Sequence, residues 1–376
     1  MTWILDNDTL IIGGAGAMED YHFAQAPWFD RRNLIKKIFI ADGVTSIGDN
    51  SFEYCENLTE VKIPNGVEEI GWYAFLGCKN LTAVRLPDSV KEIGESAFAL
   101  CASLKEINIP DGVASIGSEL FNECASLIEI KLPDGIEKIG DFTFADCTSL
   151  TKIKLPARLT YIDDWAFENC TSLTEIKIPD GVTYIGEAAF ENCAALKEVT
   201  MPASASVGRG IFNGCISLRK INNSSGKFFS DDRFFYVSLD DKRAAINSFI
   251  GTAPVVNIPP VVNGFSIVRI GDNVFEDCAD LTEIKIPDSV EEIGTWSFLD
   301  CKNLTAIKLP DSVKEIGRCA FLGCEKLTAI KIPAAVQKVG DWVFKDCASL
   351  EKIYYKAGSK FKDKLSYGNN AELIPY

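Results

Sequence analysis

Apolar and polar positions repeat along most of the chain with a period of about 23 residues. The copy that begins at Leu58 reads LTEVKIPNGVEEIGWYAFLGCKN. Twelve such copies lie between Ile35 and Ser349, with one interruption. Because a single copy cannot bury its apolar face alone, the period predicts an array in which neighbouring copies stack. Further copies begin at Leu81, Leu104, Leu127, Leu150, Leu173, Leu196, Leu281, Leu304 and Leu327.

Each copy begins with a predicted strand, a turn and a second strand. In the copy at Leu58, Val61 and Ile63 are two residues apart, the spacing that places side chains on one face of a strand. Pro64-Asn65-Gly66 then predicts a turn, because proline fixes φ and Asn-Gly accepts positive φ. The segment from Val67 to Gly71 is short and partly alternating, which predicts a second strand.

The last third of each copy carries Ala74, Phe75 and Cys78 or their equivalents. Their spacing of three to four residues predicts a helical turn. With its L-x-x-I-x-I core, the repeat resembles a leucine-rich repeat. The sequence therefore predicts an α/β-type repeat solenoid, a right-handed leucine-rich-repeat superhelix. Short parallel strands would form its concave face, with short strands or helical turns elsewhere, a β-rich N-terminal cap and an inserted hairpin.

Three segments resemble one bacterial family in particular. They are the repeat IPDGVTYIGEAAFENC at Ile178 to Cys193, the opening WILDNDTLIIGGAGAMEDY followed by APW, and the internal FFYVSLDDKRAAI. All three are similar to the BspA-like leucine-rich-repeat proteins, and the resemblance covers nearly the whole chain. It implies a secreted or cell-surface protein with an adhesive or host-interaction role. Residues 1 to 5 contain no basic segment followed by an apolar stretch, so we expect either a cytoplasmic protein or one whose export signal was removed.

Breaks in the period predict five regions. We expect an N-terminal β cap at 1–34, eight repeats at 35–217, an interruption with a β-hairpin at 218–252, four repeats at 253–349 and a C-terminal cap at 350–376. The caps are expected because the end of a solenoid exposes unpaired strand edges. In the interruption, two apolar runs flank Asp240-Asp241, which is typical of a hairpin.

Twelve of the 13 cysteines occupy the same position of successive copies. Cysteine packs well as a small apolar side chain, and the close ligand spacing of a zinc site is absent. We therefore predict a buried structural ladder and neither a metal nor a redox site. Cys319 lies outside this series, and both an exposed thiol and a packed one are compatible with its position. The ladder comprises Cys55, Cys78, Cys101, Cys124, Cys147, Cys170, Cys193, Cys215, Cys278, Cys301, Cys324 and Cys347.

Charge and residue inventory limit the possible functions. The net charge of −15 disfavours nucleic acid and anionic membrane surfaces as partners, and no apolar run is long enough for membrane insertion. The one histidine, His22, lies in the predicted cap, so the repeats contain no Ser-His-Asp or Cys-His constellation. No phosphate loop, dinucleotide fingerprint or calcium loop is present. We expect no enzyme, no cofactor and no metal, and a monomer.

Two rows of side chains are candidates for binding a partner. In the C-terminal copies, Lys308, Lys331 and Lys352 lack the acidic neighbours found in earlier copies, which favours an anionic protein segment or sulfated glycan. The alternative is a solvated sheet face without a ligand. A second row precedes the Ala-Phe pair and carries aromatic residues, which either recognise a partner or cover the neighbouring copy. This row contains Tyr73, Phe142, Trp165, Trp296 and Trp342.

Three functional hypotheses remain open at the level of sequence. The leading one is a non-enzymatic interaction or adhesion scaffold that recognises a host or bacterial surface protein or glycan. The second is a structural stalk or surface-layer component without a heterologous ligand. The third is a glycan-active enzyme that uses two carboxylates, although the acidic residues recur with the repeat and no pair stands out.

Overall fold

The repeats form a solenoid of stacked parallel strands, as the sequence predicts. The protein is described by a computed structural model that covers residues 1–223 and 225–376. The chain divides into two compact units. Unit 1 contains residues 1–208 and 220–223, and unit 2 contains residues 209–219 and 225–376. Each unit is built from rungs, and one rung corresponds to one copy of the sequence repeat.

The first strand of each rung carries one inward apolar residue between two outward ones. In Glu129–Lys131, for example, Ile130 is buried and its neighbours are exposed. In unit 1 this first strand row contains Lys37–Ile40, Glu60–Lys62, Ala83–Arg85, Glu106–Asn108, Glu129–Lys131, Lys152–Lys154, Glu175–Lys177, Glu198–Thr200 and Lys220–Asn222. In unit 2 it contains Val255–Asn257, Glu283–Lys285, Ala306–Lys308, Ala329–Lys331, Lys352–Tyr355 and Glu372–Pro375.

A second strand row follows the proline turn. Most of its strands have only two residues, the first outward and the second buried, as in Glu69–Ile70. In unit 1 this row contains Gly16–Ala17, Val44–Ile47, Glu69–Ile70, Glu92–Ile93, Ser115–Ile116, Lys138–Ile139, Tyr161–Ile162, Tyr184–Ile185 and Ser206–Val207. In unit 2 it contains Phe265–Ile270, Glu292–Ile293, Glu315–Ile316 and Lys338–Val339.

The last third of the rung forms successive turns, and the predicted helical turn was wrong. Tyr73 and Gly77 have φ values of 57° and 69°, whereas a right-handed helix needs about −63°. The N–H groups of Tyr73, Phe75 and Gly77 donate to carbonyl oxygens of the next rung at 2.8–2.9 Å. Those of Leu76 and Cys78 donate three residues back within the rung. Because half of the donors bond to the next rung, no i to i−4 helix can form.

Helix is therefore rare among the described residues. The structure contains a 3-10 helix at Phe29–Leu34 and a short α-helix at Lys362–Leu365. The α/β-type class expected from sequence is corrected to an almost entirely β solenoid. Its second short strands are present as predicted, while turns replace the expected helical segments.

A ladder of stacked phenylalanine rings runs through the interior of the rungs, beside recurring Leu, Ile, Val and Cys side chains. The rings of Phe75 and Phe98 stack at 5.3 Å between centroids and 3° between planes, and comparable stacks continue along unit 1. In unit 2, Phe298 and Phe321 stack at 5.1 Å. Such contacts add to the burial of apolar area, which is the main stabilising contribution of each rung.

Antiparallel strands lie at the beginning of unit 1. Thr2–Asp6 and Thr9–Gly13 form a hairpin, and Thr9–Gly13 pairs in parallel with Lys37–Ile40. The indole of Trp28 stacks on Phe52 at 5.7 Å and donates from Nε1 to the carbonyl oxygen of Ser51 at 2.7 Å. Trp28 therefore covers the first ring of the phenylalanine ladder.

Unit 2 contains a larger antiparallel insertion. Phe228–Ser230, Phe234–Ser238 and Arg243–Phe249 form three antiparallel strands. Arg243–Phe249 then pairs in parallel with Phe265–Ile270, which returns the chain to the solenoid. A further short strand, Val261–Val262, pairs antiparallel with Phe265–Ile270.

Candidate functional site

The five aromatic residues singled out in the sequence share an unusual backbone conformation. Their φ values lie between 52° and 59°, in the left-handed region that non-glycine residues rarely adopt. Each therefore costs about 1–2 kcal/mol of conformational free energy, which the contacts of the surrounding rungs offset. These residues are Tyr73, Phe142, Trp165, Trp296 and Trp342.

These aromatic side chains are half-buried, and most lie against neighbours within their own unit. Phe142 and Trp165 stack at 5.0 Å and 3°, so each ring covers one face of the other. The guanidinium of Arg209 lies 5.6 Å from the ring of Trp296, and that of Arg318 lies 4.5 Å from Trp342.

Among the five described side chains of the aromatic row, the rings of Phe142 and Trp165 are the only pair in contact. The hydroxyl of Tyr73 donates to Oε1 of Glu95 at 3.4 Å. In unit 2, the ring centroids of Trp342 and Tyr367 lie 6.4 Å apart. The row is therefore divided into separate contacts and does not form one aromatic patch. Covering neighbouring rungs accounts for the observed contacts.

The three candidate lysines occupy two different rows. Lys308 and Lys331 are outward residues of the same row, whereas Lys352 aligns with Ala329 in the adjacent row. The ammonium group of Lys331 lies 4.6 Å from the ring of Tyr376, and Lys352 pairs in register with Glu372. All three lysines are exposed, and the C-terminal strand brings an acid beside Lys352.

The cysteine ladder is almost wholly buried and hydrogen-bonded. The thiol of Cys78 donates to the carbonyl oxygen of Phe52 at 3.3 Å, and the same contact recurs along both units. Burial raises the pKa of the Cys55 thiol to about 12. Cys278 differs from the expectation because it is half-buried; the insertion, not a standard rung, precedes its rung. Cys319 is 3% exposed, so its thiol is packed.

One surface feature of unit 1 was not found from the sequence. A groove of about 260 Å³ runs between the second strand row and the turns. Trp72 lines it and is 57% exposed, more than any of the five aromatic residues expected to bind. We call this feature the Trp72 groove. Its lining residues are Glu69, Ile70, Trp72, Glu92, Ile93, Gly94, Glu95, Ser115, Ile116 and Gly117.

The Trp72 groove is strongly acidic. Glu69 and Glu92 lie directly opposite each other in neighbouring parallel strands, and Glu95 borders the same space. Burial raises the pKa of the Glu69 carboxyl, and repulsion from Glu92, Asp20 and Asp49 raises it further. Among the described residues that line the groove, none is basic. Two like charges in register destabilise a sheet, so this pair is not explained by stability.

Unit 2 contains the same pair with its charge neutralised. Glu292 and Glu315 lie in register, with Arg269 in register on one side and Lys338 on the other. Nε of Arg269 lies 3.1 Å from Oε1 of Glu292, an ion pair that lacks hydrogen-bond geometry. Nζ of Lys338 lies 2.5 Å from Oε1 of Glu315.

The corresponding flanking positions in unit 1 carry serine. Ser46 is in register with Glu69, and Ser115 is in register with Glu92. The neighbouring Lys91 contacts Glu68 at 2.7 Å. The sequence contains this difference between the two glutamate pairs. It can be recognised only when residues one rung apart are assigned to the same row.

Within residues 1–223 and 225–376, no group of three or more His, Cys, Asp or Glu side chains is arranged to hold a metal ion. No helix in the same residues has the length and apolar character needed to cross a bilayer.

Comparisons with known proteins agree with this architecture. The family model described as the BspA type leucine rich repeat region (6 copies) matches residues 25–139, 114–240 and 263–372. A leucine-rich repeat protein from Bacteroides ovatus ATCC 8483 is 24% identical, with 99% of this chain and 98% of that chain covered and a TM-score of 0.52. A leucine rich cell surface protein from Faecalibacterium prausnitzii A2-165 is 27% identical, with 100% and 92% covered and a TM-score of 0.55. No curated protein matches the chain.

Proposed function

Because the chain belongs to the BspA-type leucine-rich repeat family, we propose that it is a non-enzymatic interaction or adhesion scaffold that recognises a surface protein or glycan. Leucine-rich repeat proteins are generally protein-interaction scaffolds. The observation that carries the proposal is the contrast between the inside and the outside of the rungs. Inside, Leu, Ile, Phe and Cys recur with almost no variation, whereas outward positions of one row change from Glu92 to Lys138 to Tyr161.

A constant core with variable outward side chains is suited to recognition. The core fixes the spacing of the rungs, and each outward side chain is then held at a set position on a rigid sheet. Recognition needs such positions to differ, because a partner is discriminated by particular charges and shapes. The proposal includes a secreted or cell-surface location, supported by the similarity to the cell surface protein from Faecalibacterium prausnitzii. It also includes a right-handed coil with the first strand row on its concave face.

The test is an array of extracellular-matrix proteins, mucins and neutral or sulfated glycans, scored for saturable binding at low and physiological salt. Saturable binding of at least one ligand is expected. Loss of that binding at higher salt identifies charged contacts. For a sulfated ligand, Lys308→Glu is expected to weaken binding more than Lys331→Glu, because Tyr376 already lies over Lys331. Absence of saturable binding across the array would contradict the proposal.

A second candidate function is a structural stalk that associates with itself. It is favoured by the strand Thr2–Asp6, which lies at the edge of its sheet and exposes 59% of Ile4. Exposed apolar edge strands pair readily with further strands. Sedimentation velocity of the wild type and of Ile4→Lys separates the two functions. A stalk predicts concentration-dependent assembly that Ile4→Lys removes, whereas a recognition scaffold predicts a monomer in both cases.

A further inference from the structure

The exposed indole of Trp72 lies against Gly94, and both residues line the Trp72 groove. A Cβ atom on Gly94 would overlap Cδ1 of Trp72 and would lie 2.6 Å from the backbone nitrogen of Trp72. Glycine recurs at this position in other rungs, as at Gly117 and Gly317, because the backbone of the preceding rung lies against it. At Gly94 the missing side chain also leaves room for the indole. Trp72 nevertheless keeps 57% of its surface in solvent. An exposed aromatic side chain beside a recess is typical of a contact with a partner.

The charge of the groove determines which chemistry complements it. Glu69, Glu92 and Glu95 border one space, and the salt bridges of the described residues include none to Glu69 or Glu92. The corresponding Glu292 and Glu315 in unit 2 are each paired with a cation. In both pairs the two glutamates lie opposite each other in neighbouring strands, and only the flanking residues differ. A cation from a partner would balance the charge of Glu69 and Glu92, as Arg269 and Lys338 balance that of the pair in unit 2.

We propose that the Trp72 groove binds a lysine- or arginine-bearing segment of a partner protein. This inference rests on the proposed recognition function and names the partner class for one site. A basic side chain placed in the groove would meet the Trp72 face in a cation–π contact and carboxylates able to accept charge-assisted hydrogen bonds. The volume of about 260 Å³ lies just below the range of drug-sized ligand pockets. It therefore suits one or two long side chains and not a whole folded surface.

Charge complementarity favours this occupant over a saccharide. A neutral sugar could lie on Trp72 and donate hydroxyls to the carboxylates, but it would leave the repulsion between Glu69 and Glu92 in place. An anionic glycan would add to that repulsion. A lysine or arginine side chain relieves the repulsion between the two glutamates. It is also attracted by Asp20 and Asp49, which are near enough to repel the Glu69 carboxylate.

The experiment measures binding of a short fluorescent peptide of alternating lysine and serine by anisotropy, beside the same peptide with glutamate in place of lysine. Glu69→Gln with Glu92→Gln is expected to weaken binding of the lysine peptide about tenfold. Trp72→Ala is expected to weaken it several-fold. The matched control is Glu292→Gln with Glu315→Gln, which removes the same number of charges from the paired site in unit 2 and should leave binding unchanged.

A further variant reproduces the arrangement of unit 2 without removing any carboxylate. Ser46→Lys with Ser115→Lys places a cation in register on each side of the glutamate pair. We expect this variant to weaken binding of the lysine peptide as much as Glu69→Gln with Glu92→Gln does. Circular dichroism and the midpoint of urea unfolding establish that each variant is folded. Because serine at both sites is exposed or half-exposed, the substitutions fit without repacking.

The outcomes separate this inference from the proposed function. Equal weakening by the unit 1 and unit 2 glutamine pairs would mean that only net charge attracts the peptide, and it would overturn the inference. So would no binding of the lysine peptide, or binding of a neutral glycan that Trp72→Ala abolishes. If the array finds a ligand that the groove variants leave untouched, the inference fails and the recognition function stands. If nothing binds, both fail.

Discussion

The thiol of Cys101 donates a hydrogen bond to the carbonyl oxygen of Phe75 in the preceding rung, with 3.3 Å between Sγ and the oxygen. Phe75 also stacks its ring on Phe98. The cysteine ladder is therefore linked to the phenylalanine ladder through the backbone as well as by packing. This explains why a small apolar residue that can also donate recurs at this position.

Replacing Cys101 by alanine is expected to lower the free energy of unfolding by about 1–2 kcal/mol, because it removes a buried sulfur atom and a hydrogen bond. Urea unfolding followed by circular dichroism measures the change. The control is Cys278→Ala, whose side chain is half-buried and should cost less. Equal losses at the two positions would show that burial does not determine the contribution of the ladder.

The native protein is expected to react slowly with a thiol reagent at pH 8, because the reactive species is the thiolate. Burial raises the pKa of the Cys55 and Cys347 thiols to about 12. Cys278, the half-buried member, should be modified first, and Cys319 should stay unmodified. Mass spectrometry of the modified peptides in native and urea-unfolded protein identifies the order. Early modification of Cys319 would contradict its packed position.

Glycine is required where neighbouring rungs approach most closely. A Cβ atom on Gly117 would lie 2.6 Å from both Cα and N of Glu95, whereas one on Gly135 would meet only the carbonyl oxygen of Val113, at 4.0 Å. Gly117→Ala is expected to destabilise the fold by about 1–3 kcal/mol through overpacking. Gly135→Ala should change it by less than about 0.5 kcal/mol. The midpoint of thermal unfolding measures both, and similar midpoints would contradict the predicted clash.

Two tryptophans are expected to have opposite roles. Trp165 is stacked on Phe142, so Trp165→Ala should reduce the free energy of unfolding by about 1–2 kcal/mol and leave binding of the lysine peptide intact. Trp72 is exposed, so Trp72→Ala should change stability by less than about 0.5 kcal/mol while weakening that binding. Measuring unfolding and peptide affinity on the same preparations gives the comparison. Lost affinity in Trp165→Ala at unchanged stability would restore a recognition role for the aromatic row.

The sequence was sufficient to predict the solenoid and its first strands, because Val61 and Ile63 are two residues apart, as on one face of a strand, and the pair recurs with the repeat. It did not predict the turns that replace the expected helical segment. The left-handed position holds Tyr73 in one rung and Glu119 in another, so residue identity carries no turn signal there. The spacing of Ala74, Phe75 and Cys78 fits a helix equally well, and only the hydrogen bonds to the next rung decide between them.

The candidate sites were harder to predict than the fold. Lys308, Lys331 and Lys352 read as one basic stretch, but strand register places Lys352 in the adjacent row and beside Glu372. The Trp72 groove depends on which charges face each other across rungs. Glu69 and Glu92 resemble Glu292 and Glu315 in sequence, and the difference between them is set by the side chains in register on either side.

The turns of the rung also bear on how such a chain can change in length. Tyr73, Phe75 and Gly77 bond to the carbonyl oxygens of the residues 22 positions later, Glu95, Ala97 and Ala99. Duplicating or deleting one whole copy leaves every donor facing an equivalent acceptor, while a change of length inside this turn segment shifts these donors out of register. Recombination between neighbouring copies of the coding sequence therefore yields foldable products that differ in length by whole copies. Each duplicated copy is then free to diverge on its outward side chains.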